Sequence, residues 1–184
     1  MSIHGPNAIL DPTGGASAVA APFALAPRKQ DLAGARVGLL ENTKQNAALL
    51  LDEVGKLLVA EHGAAAVTLM RTKTAFALPA SDELVAEYAR DCDVVVTGVG
   101  DCGSCSASAA ADGVAFERAG LPAAVICSDA FVATADAMAA LRGAPGYRYL
   151  TTPHPVAILT PDQVRERAAQ LAGAVADLLT GGGT

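Results

Sequence analysis

The stretch CDVVVTGVGDCGSCSASAAADG, residues 92–113, contains the pattern that decides the fold. Its first nine residues form an almost unbroken apolar run, which is typical of a strand covered on both faces of a parallel sheet. The glycines and aspartate of residues 100–103 then predict a tight loop, and an alanine-rich helix is predicted over residues 106–119. A strand, a loop and a helix in this order form the repeating unit of α/β folds.

Strands and helices alternate along the rest of the chain. We predict strands within residues 36–42, 65–70, 92–100, 123–129 and 147–155. We predict helices from a cap at Thr43 to Gly63, from a cap at Ser81 to Tyr88, and over residues 106–119, 130–141 and 160–178. Thr160, Pro161 and Gln163 predict a capping box at the start of the last helix. The alternation predicts an α/β fold, with a single doubly wound, mostly parallel sheet of about five strands in a flavodoxin-like or Rossmann-like three-layer sandwich.

Residues 1–34 differ in composition from the rest of the chain. They are rich in Gly, Pro, Ala and Ser without a sustained period, which predicts an irregular arm. Residues 35–184 are predicted to form a single α/β domain. Because such arms are rarely stable alone, we expect this one to pack on a neighbour, in a homodimer or with a heteromeric partner subunit.

Composition and charge exclude several classes of function. The formal net charge of −6 argues against nucleic acid, which binds clustered Lys and Arg. No apolar run reaches the roughly 18–20 residues that span a bilayer, and the opening MSIHGPNAIL lacks the features of a signal peptide. We therefore predict a cytoplasmic protein that binds neither nucleic acid nor membrane, with its four cysteines reduced by default.

Polar side chains follow four of the predicted strands. Asn42 and Lys44 follow the first strand, the cysteine loop follows the third, Cys127 and Ser128 end the fourth, and His154 follows the fifth. In a flavodoxin-like order of 2-1-3-4-5, these four strands are consecutive neighbours. Ligands of such sheets bind outside the carboxyl ends of the strands, so we expect these residues to meet at one rim.

Cys102 is the predicted nucleophile. It would lie at a helix N-terminus, where free N–H groups and the helix dipole favour a thiolate. Cysteines in Cys-x-x-Cys motifs at such positions reach a pKa of roughly 3.5–7.5. Cys105 is placed to resolve a mixed disulfide or sulfenic acid formed on Cys102. His154, held between two prolines, is predicted to act as the base or the acid.

The substrate is predicted to be a small anionic or carbonyl-bearing molecule. Serine hydroxyls would donate to its oxyanion or carboxylate, and the residues after the first strand precede a helix N-terminus that favours anions. Asp101 would raise the pKa of the neighbouring thiol unless it points away or relays protons. Asp112 and Glu117 are predicted to tie their helix to neighbouring loops. The residues predicted to bind substrate are Asn42, Lys44, Asp101, Ser104, Ser106, Cys127 and Ser128.

Other interpretations of the cysteine loop stay open. Cys127 and His154 could complete a zinc site with the two loop cysteines, although a second Cys-x-x-Cys is missing. The glycines could simply make a structural turn. Residues 98–103 also match the dinucleotide fingerprint, but Leu and Pro stand at 121–122, where its acidic residue is needed. We predict no metal and no cofactor.

Two further functions compete with thiol redox or covalent chemistry. One is a cofactor-free racemase, isomerase or lyase, in which Cys127 is a second essential thiol. The other is a non-catalytic partner subunit of a heteromeric enzyme, which the irregular arm and the small-residue helices would suit.

The segment GVGDCGSCSASAAADGVAFERAGLPAAVIC, residues 98–127, resembles the UGSC family, selenoprotein-related proteins named for a selenocysteine-Gly-Ser-Cys motif. The resemblance includes LLENTKQNA at residues 39–47 and PHPVA at residues 153–157, and covers roughly residues 36–160. More distantly, the chain is similar to the selenoprotein subunits of glycine and proline reductases. Cys102 stands where the family can carry selenocysteine, which implies a nucleophilic or redox atom there. The resemblance thus implies a cysteine-dependent oxidoreductase or lyase.

Overall fold

The computed structural model describes residues 23–181, so most of the predicted arm and residues 182–184 lie outside the described part. The strands are β1 (Arg36–Glu41), β2 (Ala66–Thr72), β3 (Val94–Gly100), β4 (Ala123–Ser128) and β5 (Leu150–Thr152). The α-helices are α1 (Ala47–Glu61), α2 (Asp82–Asp91), α3 (Gly103–Arg118), α4 (Val132–Leu141) and α5 (Pro161–Thr180). A 3₁₀ turn, Asp129–Phe131, precedes α4.

The strands form one sheet in the order β2-β1-β3-β4-β5, and every neighbouring pair is parallel. The predicted α/β fold and strand order are therefore confirmed. The central strands β3 and β4 are buried along their whole length, which accounts for their continuous hydrophobicity. In the edge strand β2 only Leu69 is buried.

Helices cover both faces of the sheet. The core between the sheet and the pair α1 and α5 contains Val96 and Ile126. Val95 and Val125, which alternate with them along the strands, pack toward α2, α3 and α4. Because every neighbouring pair of strands is parallel, the carboxyl ends of all five strands lie at one rim of the sheet. Within residues 23–181, no helix is both long enough and apolar enough to cross a bilayer.

Helix α1 starts later than the sequence predicts, and the prediction of a cap at Thr43 is wrong. The N-cap is Asn46, which has a left-handed backbone (φ 68°) and no capping bond from its side chain. Its side-chain amide instead donates to the carbonyls of Val156 and Leu159, in the loop after β5. Thr43 also has a positive φ, and its N–H donates to the carboxylate of Glu41. A contact with a residue 110 positions away is invisible to local capping rules.

The last helix, α5, begins as predicted. The Thr160 hydroxyl accepts the N–H of Gln163, and the Gln163 side chain accepts the N–H of Thr160. The capping box is therefore confirmed.

Residues 23–34 contain no helix or strand and are tied to the end of α3. The buried carboxylate of Glu117 accepts the N–H of Ala26 at 2.7 Å and two bonds from the Arg28 guanidinium, at 2.6 and 3.0 Å. It also accepts the N–H of Ala123, at the start of β4, at 2.9 Å. Glu117 thus joins α3 to two other parts of the chain, as predicted.

A second buried carboxylate, Asp112, ties the middle of α3 to the loop after β2. It accepts a bond from the Lys73 ammonium at 2.5 Å and one from the N–H of Ala80 at 2.6 Å. Lys73 also donates to the hydroxyl of Ser108 at 2.6 Å, and both charged side chains are at most 3% exposed. The predicted role of Asp112 in tying the helix to a loop is confirmed.

Tyr147 carries a buried hydroxyl that has no hydrogen-bond partner among the residues the structure describes. An unsatisfied buried hydroxyl costs about 1–3 kcal/mol, so Tyr147→Phe should raise the free energy of unfolding by about 1 kcal/mol. Urea denaturation of the full chain measures this change. The matched control is Tyr88→Phe, because the Tyr88 hydroxyl donates to the carbonyl of Leu39 and accepts the N–H of Arg71. This control should lose stability, and a loss in Tyr147→Phe as well would contradict the assignment.

Candidate functional site

The cysteine loop joins the end of β3 to the start of α3. Helix α3 begins at Gly103 and not near Ser106, with Cys102 as its N-cap in extended backbone. Cys102 is half-buried, its sulfur accepts the N–H of Cys105 at 3.2 Å, and the Ser104 hydroxyl lies 3.6 Å from that sulfur. Anionic sulfur is favoured at this position, because the N–H of Cys105 donates to it at the positive end of the α3 dipole. The helix start was predicted too late because cysteine is not among the usual N-cap residues.

Cys105 lies one turn into α3 and is fully buried. Its sulfur lies within disulfide-bonding distance of the Cys102 sulfur, and the two Cα atoms are 5.1 Å apart. The predicted closeness of the two cysteines is confirmed. The pair therefore consists of a half-buried cysteine and a fully buried one whose sulfur atoms can bond to each other.

Gly100 holds the loop against the body of the protein. Its carbonyl accepts bonds from the buried hydroxyls of Ser106, at 2.9 Å, and Ser128, at 3.0 Å. A Cβ atom at Gly100 would lie only 2.6 Å from the Cys127 sulfur and 2.7 Å from the Ser106 hydroxyl. Only glycine fits this position. The hydroxyls of Ser106 and Ser128 hold the loop in place through the Gly100 carbonyl.

The Asp101 side chain is directed at the loop after β5. Its buried carboxylate accepts the N–H groups of Val156 at 3.1 Å and Ala157 at 2.9 Å, and lies 3.0 Å from Nδ1 of His154. Burial alone would raise the pKa of Asp101, but these donors, together with Ser128, lower it below its usual value. Asp101 therefore stays ionised, with its carboxylate in contact with His154.

His154 is held from several sides. Its backbone N–H donates to Asp129 at 3.1 Å, and its ring packs nearly perpendicular to that of Phe131 at a centroid distance of 5.2 Å. Nδ1 faces the Asp101 carboxylate and the Ser128 hydroxyl, the latter at 3.2 Å. The side chain is 35% exposed. These contacts connect His154 to Asp101, the residue that precedes Cys102 in the cysteine loop.

Two other predicted residues follow β1. Asn42 is buried, and its side-chain amide both donates to the carbonyl of Val99 and accepts its N–H. Asn42 therefore fastens the end of β1 to β3. Lys44 is half-buried in the same loop.

The remaining cysteines lie in the core. Cys127, in β4, is fully buried, and burial raises its pKa to about 12. Cys92 is also buried, which raises its pKa too. Both thiols are protonated and sheltered near neutral pH.

The polar cluster of Lys73, Ser108 and Asp112 was not predicted as a unit. Ser108 and Asp112 are four residues apart and so share one face of α3, and this spacing is a signal that the sequence does carry. Lys73 directly follows β2 and so lies at the same rim, but no local sequence pattern pairs it with Asp112.

Among residues 23–181, no three His, Cys, Asp or Glu side chains are grouped to hold a metal ion. Cavities of about 300, 400 and 450 Å³ lie away from Cys102, at other surfaces of the molecule.

Fold and site together define an α/β protein of flavodoxin-like strand order, with a Cys-x-x-Cys pair at the start of a helix. The chain belongs to the UGSC family, which matches residues 8–181. At both ends, this match is longer than the resemblance described above, which covers roughly residues 36–160. A search of curated proteins found no match.

Proposed function

We propose that the protein is a thiol-dependent enzyme that acts through Cys102 and Cys105 on a small anionic or carbonyl-bearing molecule. The observation that carries the proposal is the position of Cys102, a half-buried residue at the N-terminus of α3, with the buried Cys105 sulfur within disulfide-bonding distance of its own. An accessible sulfur stabilised as an anion attacks, and a sheltered neighbour in contact with it resolves.

The two sulfurs together supply one electron pair. The Cys102 thiolate displaces a leaving group from the carbon next to a substrate carbonyl, forming a carbon–sulfur bond. The Cys105 thiolate then attacks the Cys102 sulfur, which forms the disulfide and releases the carbon with its electron pair, stabilised by the carbonyl. One proton returns to that carbon and one to the leaving group. The substrate is reduced, the cysteines are oxidised, and an external dithiol reductant restores the pair.

His154 supports the proposal as the proton donor. It lies at the end of β5 on the same rim, joined to the cysteine loop through Asp101. A partly exposed imidazole near neutral pH can give a proton to the released carbon. We propose a cytoplasmic location for this chemistry, because a reducing compartment supplies dithiols.

A racemase, isomerase or lyase that uses Cys127 as a second thiol has less support. The Cys127 thiol is fully buried, and burial raises its pKa to about 12, so a substrate cannot reach it and it stays protonated near neutral pH. The geometry favours the pair Cys102 and Cys105 over the pair Cys102 and Cys127.

Alkylation of the reduced protein tests the proposed nucleophile. Iodoacetamide at pH 7.5 should label Cys102 at least about 10-fold faster than Cys127 or Cys92, because a low thiol pKa raises the thiolate fraction. Peptide mass spectrometry locates the label. It should vanish in Cys102→Ser and persist in Cys127→Ala, with both variants folded by circular dichroism. Equal labelling of Cys127 or Cys92 in the wild type would overturn the assignment.

A disulfide reagent tests the resolving step. Dithiobis-nitrobenzoate should release two equivalents of thionitrobenzoate from the reduced wild type and leave no adduct, since Cys105 displaces the one formed on Cys102. Cys105→Ala should release one equivalent and keep a mixed disulfide on Cys102. A stable adduct on the wild-type protein would rule out Cys105 as the resolving thiol.

A further inference from the structure

We infer that Asp101 is a positioning residue, which keeps the ring proton of His154 on Nδ1 and leaves Nε2 as the nitrogen that exchanges protons at the rim. This inference rests on the proposed function, because it names the atom of His154 that would serve the thiol chemistry. The first observation is the 3.0 Å contact between the Asp101 carboxylate and Nδ1.

A second acceptor faces the same nitrogen. The Ser128 hydroxyl lies 3.2 Å from Nδ1, while it donates its own hydrogen to the carbonyl of Gly100 at 3.0 Å. The hydroxyl has one hydrogen, and the Gly100 carbonyl and the Asp101 carboxylate both compete for it as acceptors, which leaves the oxygen lone pairs to face the histidine. Nδ1 therefore faces a carboxylate, which can only accept, and a hydroxyl whose hydrogen is drawn to other acceptors, so a neutral ring carries its N–H on Nδ1.

The carboxylate cannot rotate away from this contact. Backbone N–H groups of Val156 and Ala157 donate to Asp101 and fix its plane. The backbone of His154 is fixed as well, by the bond from its N–H to Asp129, and Phe131 packs against the ring. The ring therefore keeps one orientation, with Nδ1 inward.

Asparagine at position 101 would invert this arrangement. Its shape matches aspartate, but only one of its two terminal atoms accepts hydrogen bonds. The N–H groups of Val156 and Ala157 require that oxygen, which leaves the NH₂ group facing Nδ1 of His154. A donor facing Nδ1 turns it into an acceptor and moves the ring proton to Nε2. An aspartate-to-asparagine change beside a catalytic histidine acts in this way in serine proteases.

A purely structural role for Asp101 predicts a different result. If Asp101 only tied down the loop after β5, Asp101→Asn would change stability and leave the ring nitrogens alone. The position of the proton therefore separates the two roles.

Nitrogen-15 NMR of the full chain labelled at histidine tests the inference. At pH 8.5 the wild-type His154 should show a protonated Nδ1 and an unprotonated Nε2, and Asp101→Asn should exchange these two signals. His154→Gln assigns the resonances. Asp129→Asn is the matched control, because Asp129 contacts the backbone N–H and not the ring, and it should leave the pattern unchanged.

Two results would overturn the inference: a wild-type ring protonated on Nε2, or an Asp101→Asn spectrum like that of the wild type. If Asp101→Asn does not fold, the wild-type spectrum alone decides. The readout does not depend on the reactivity of Cys102. Failure here would leave the proposed thiol chemistry standing, and failure of the alkylation experiment would leave this assignment standing.

Discussion

Asp112→Ala should lower the free energy of unfolding by about 3–5 kcal/mol, the cost of breaking a buried ion pair by removing one partner. The Lys73 ammonium is 3% exposed and would lose its only charged partner among the described residues. The N–H of Ala80 would lose its acceptor at the same time. Burial raises the pKa of Asp112, while Lys73 acts in the opposite direction, so the environment tolerates the carboxylate only because the ammonium is present.

Urea denaturation of the full chain measures this effect. Asp91→Ala is the matched control, because Asp91 pairs with Arg90 at the surface, where such pairs contribute about 0–1 kcal/mol. The double variant Lys73→Met with Asp112→Leu should recover part of the loss, since it removes the stranded charge together with its partner. A loss of less than about 1 kcal/mol in Asp112→Ala would show that Lys73 finds water or another partner.

Glu117→Ala should cost about 3 kcal/mol and detach residues 23–34 from the end of α3. Four donors lose their acceptor: two from Arg28 and the N–H groups of Ala26 and Ala123. The loss is expected to be smaller than at Asp112, because the Arg28 side chain is 11% exposed and can turn partly into water.

Chemical denaturation gives the stability, and limited proteolysis near residue 28 reports release of the segment. Glu87→Ala serves as the matched control, since Glu87 pairs with Arg71 at the surface. It should change stability by less than about 1 kcal/mol and leave the segment protected. Unchanged proteolysis in Glu117→Ala would mean that apolar contacts alone hold residues 23–34 in place.

The sequence was sufficient to predict the α/β fold with a parallel sheet of five strands, because the alternation of strands and helices is clear. The apolar run ending at Gly100 is short and rich in valine, which favours a buried strand, and the regular alternation of strands and helices leaves few topologies. The closeness of Cys102 and Cys105 followed from their spacing at a helix start. These features depend on local signals that a single sequence displays.

Side-chain partners were harder to predict, because they join residues that are distant along the chain. Nothing near Asn42 indicates that its amide binds the backbone of Val99, and nothing near Lys73 indicates Asp112. Asp101 was expected either to point away from the thiol or to relay protons. The structure adds the backbone donors that hold it toward His154.

Helix α3 is restrained at its start by the loop bonds to Gly100, near its middle by Asp112 and near its end by Glu117. The thiol pair therefore takes its position from the whole length of the helix. Transplanting only residues 97–106 onto another strand and helix would carry the sulfur atoms without the restraints that aim them. A functional graft would need α3 together with the segments that are hydrogen-bonded to it, namely the loop after β2, residues 23–34 and the start of β4.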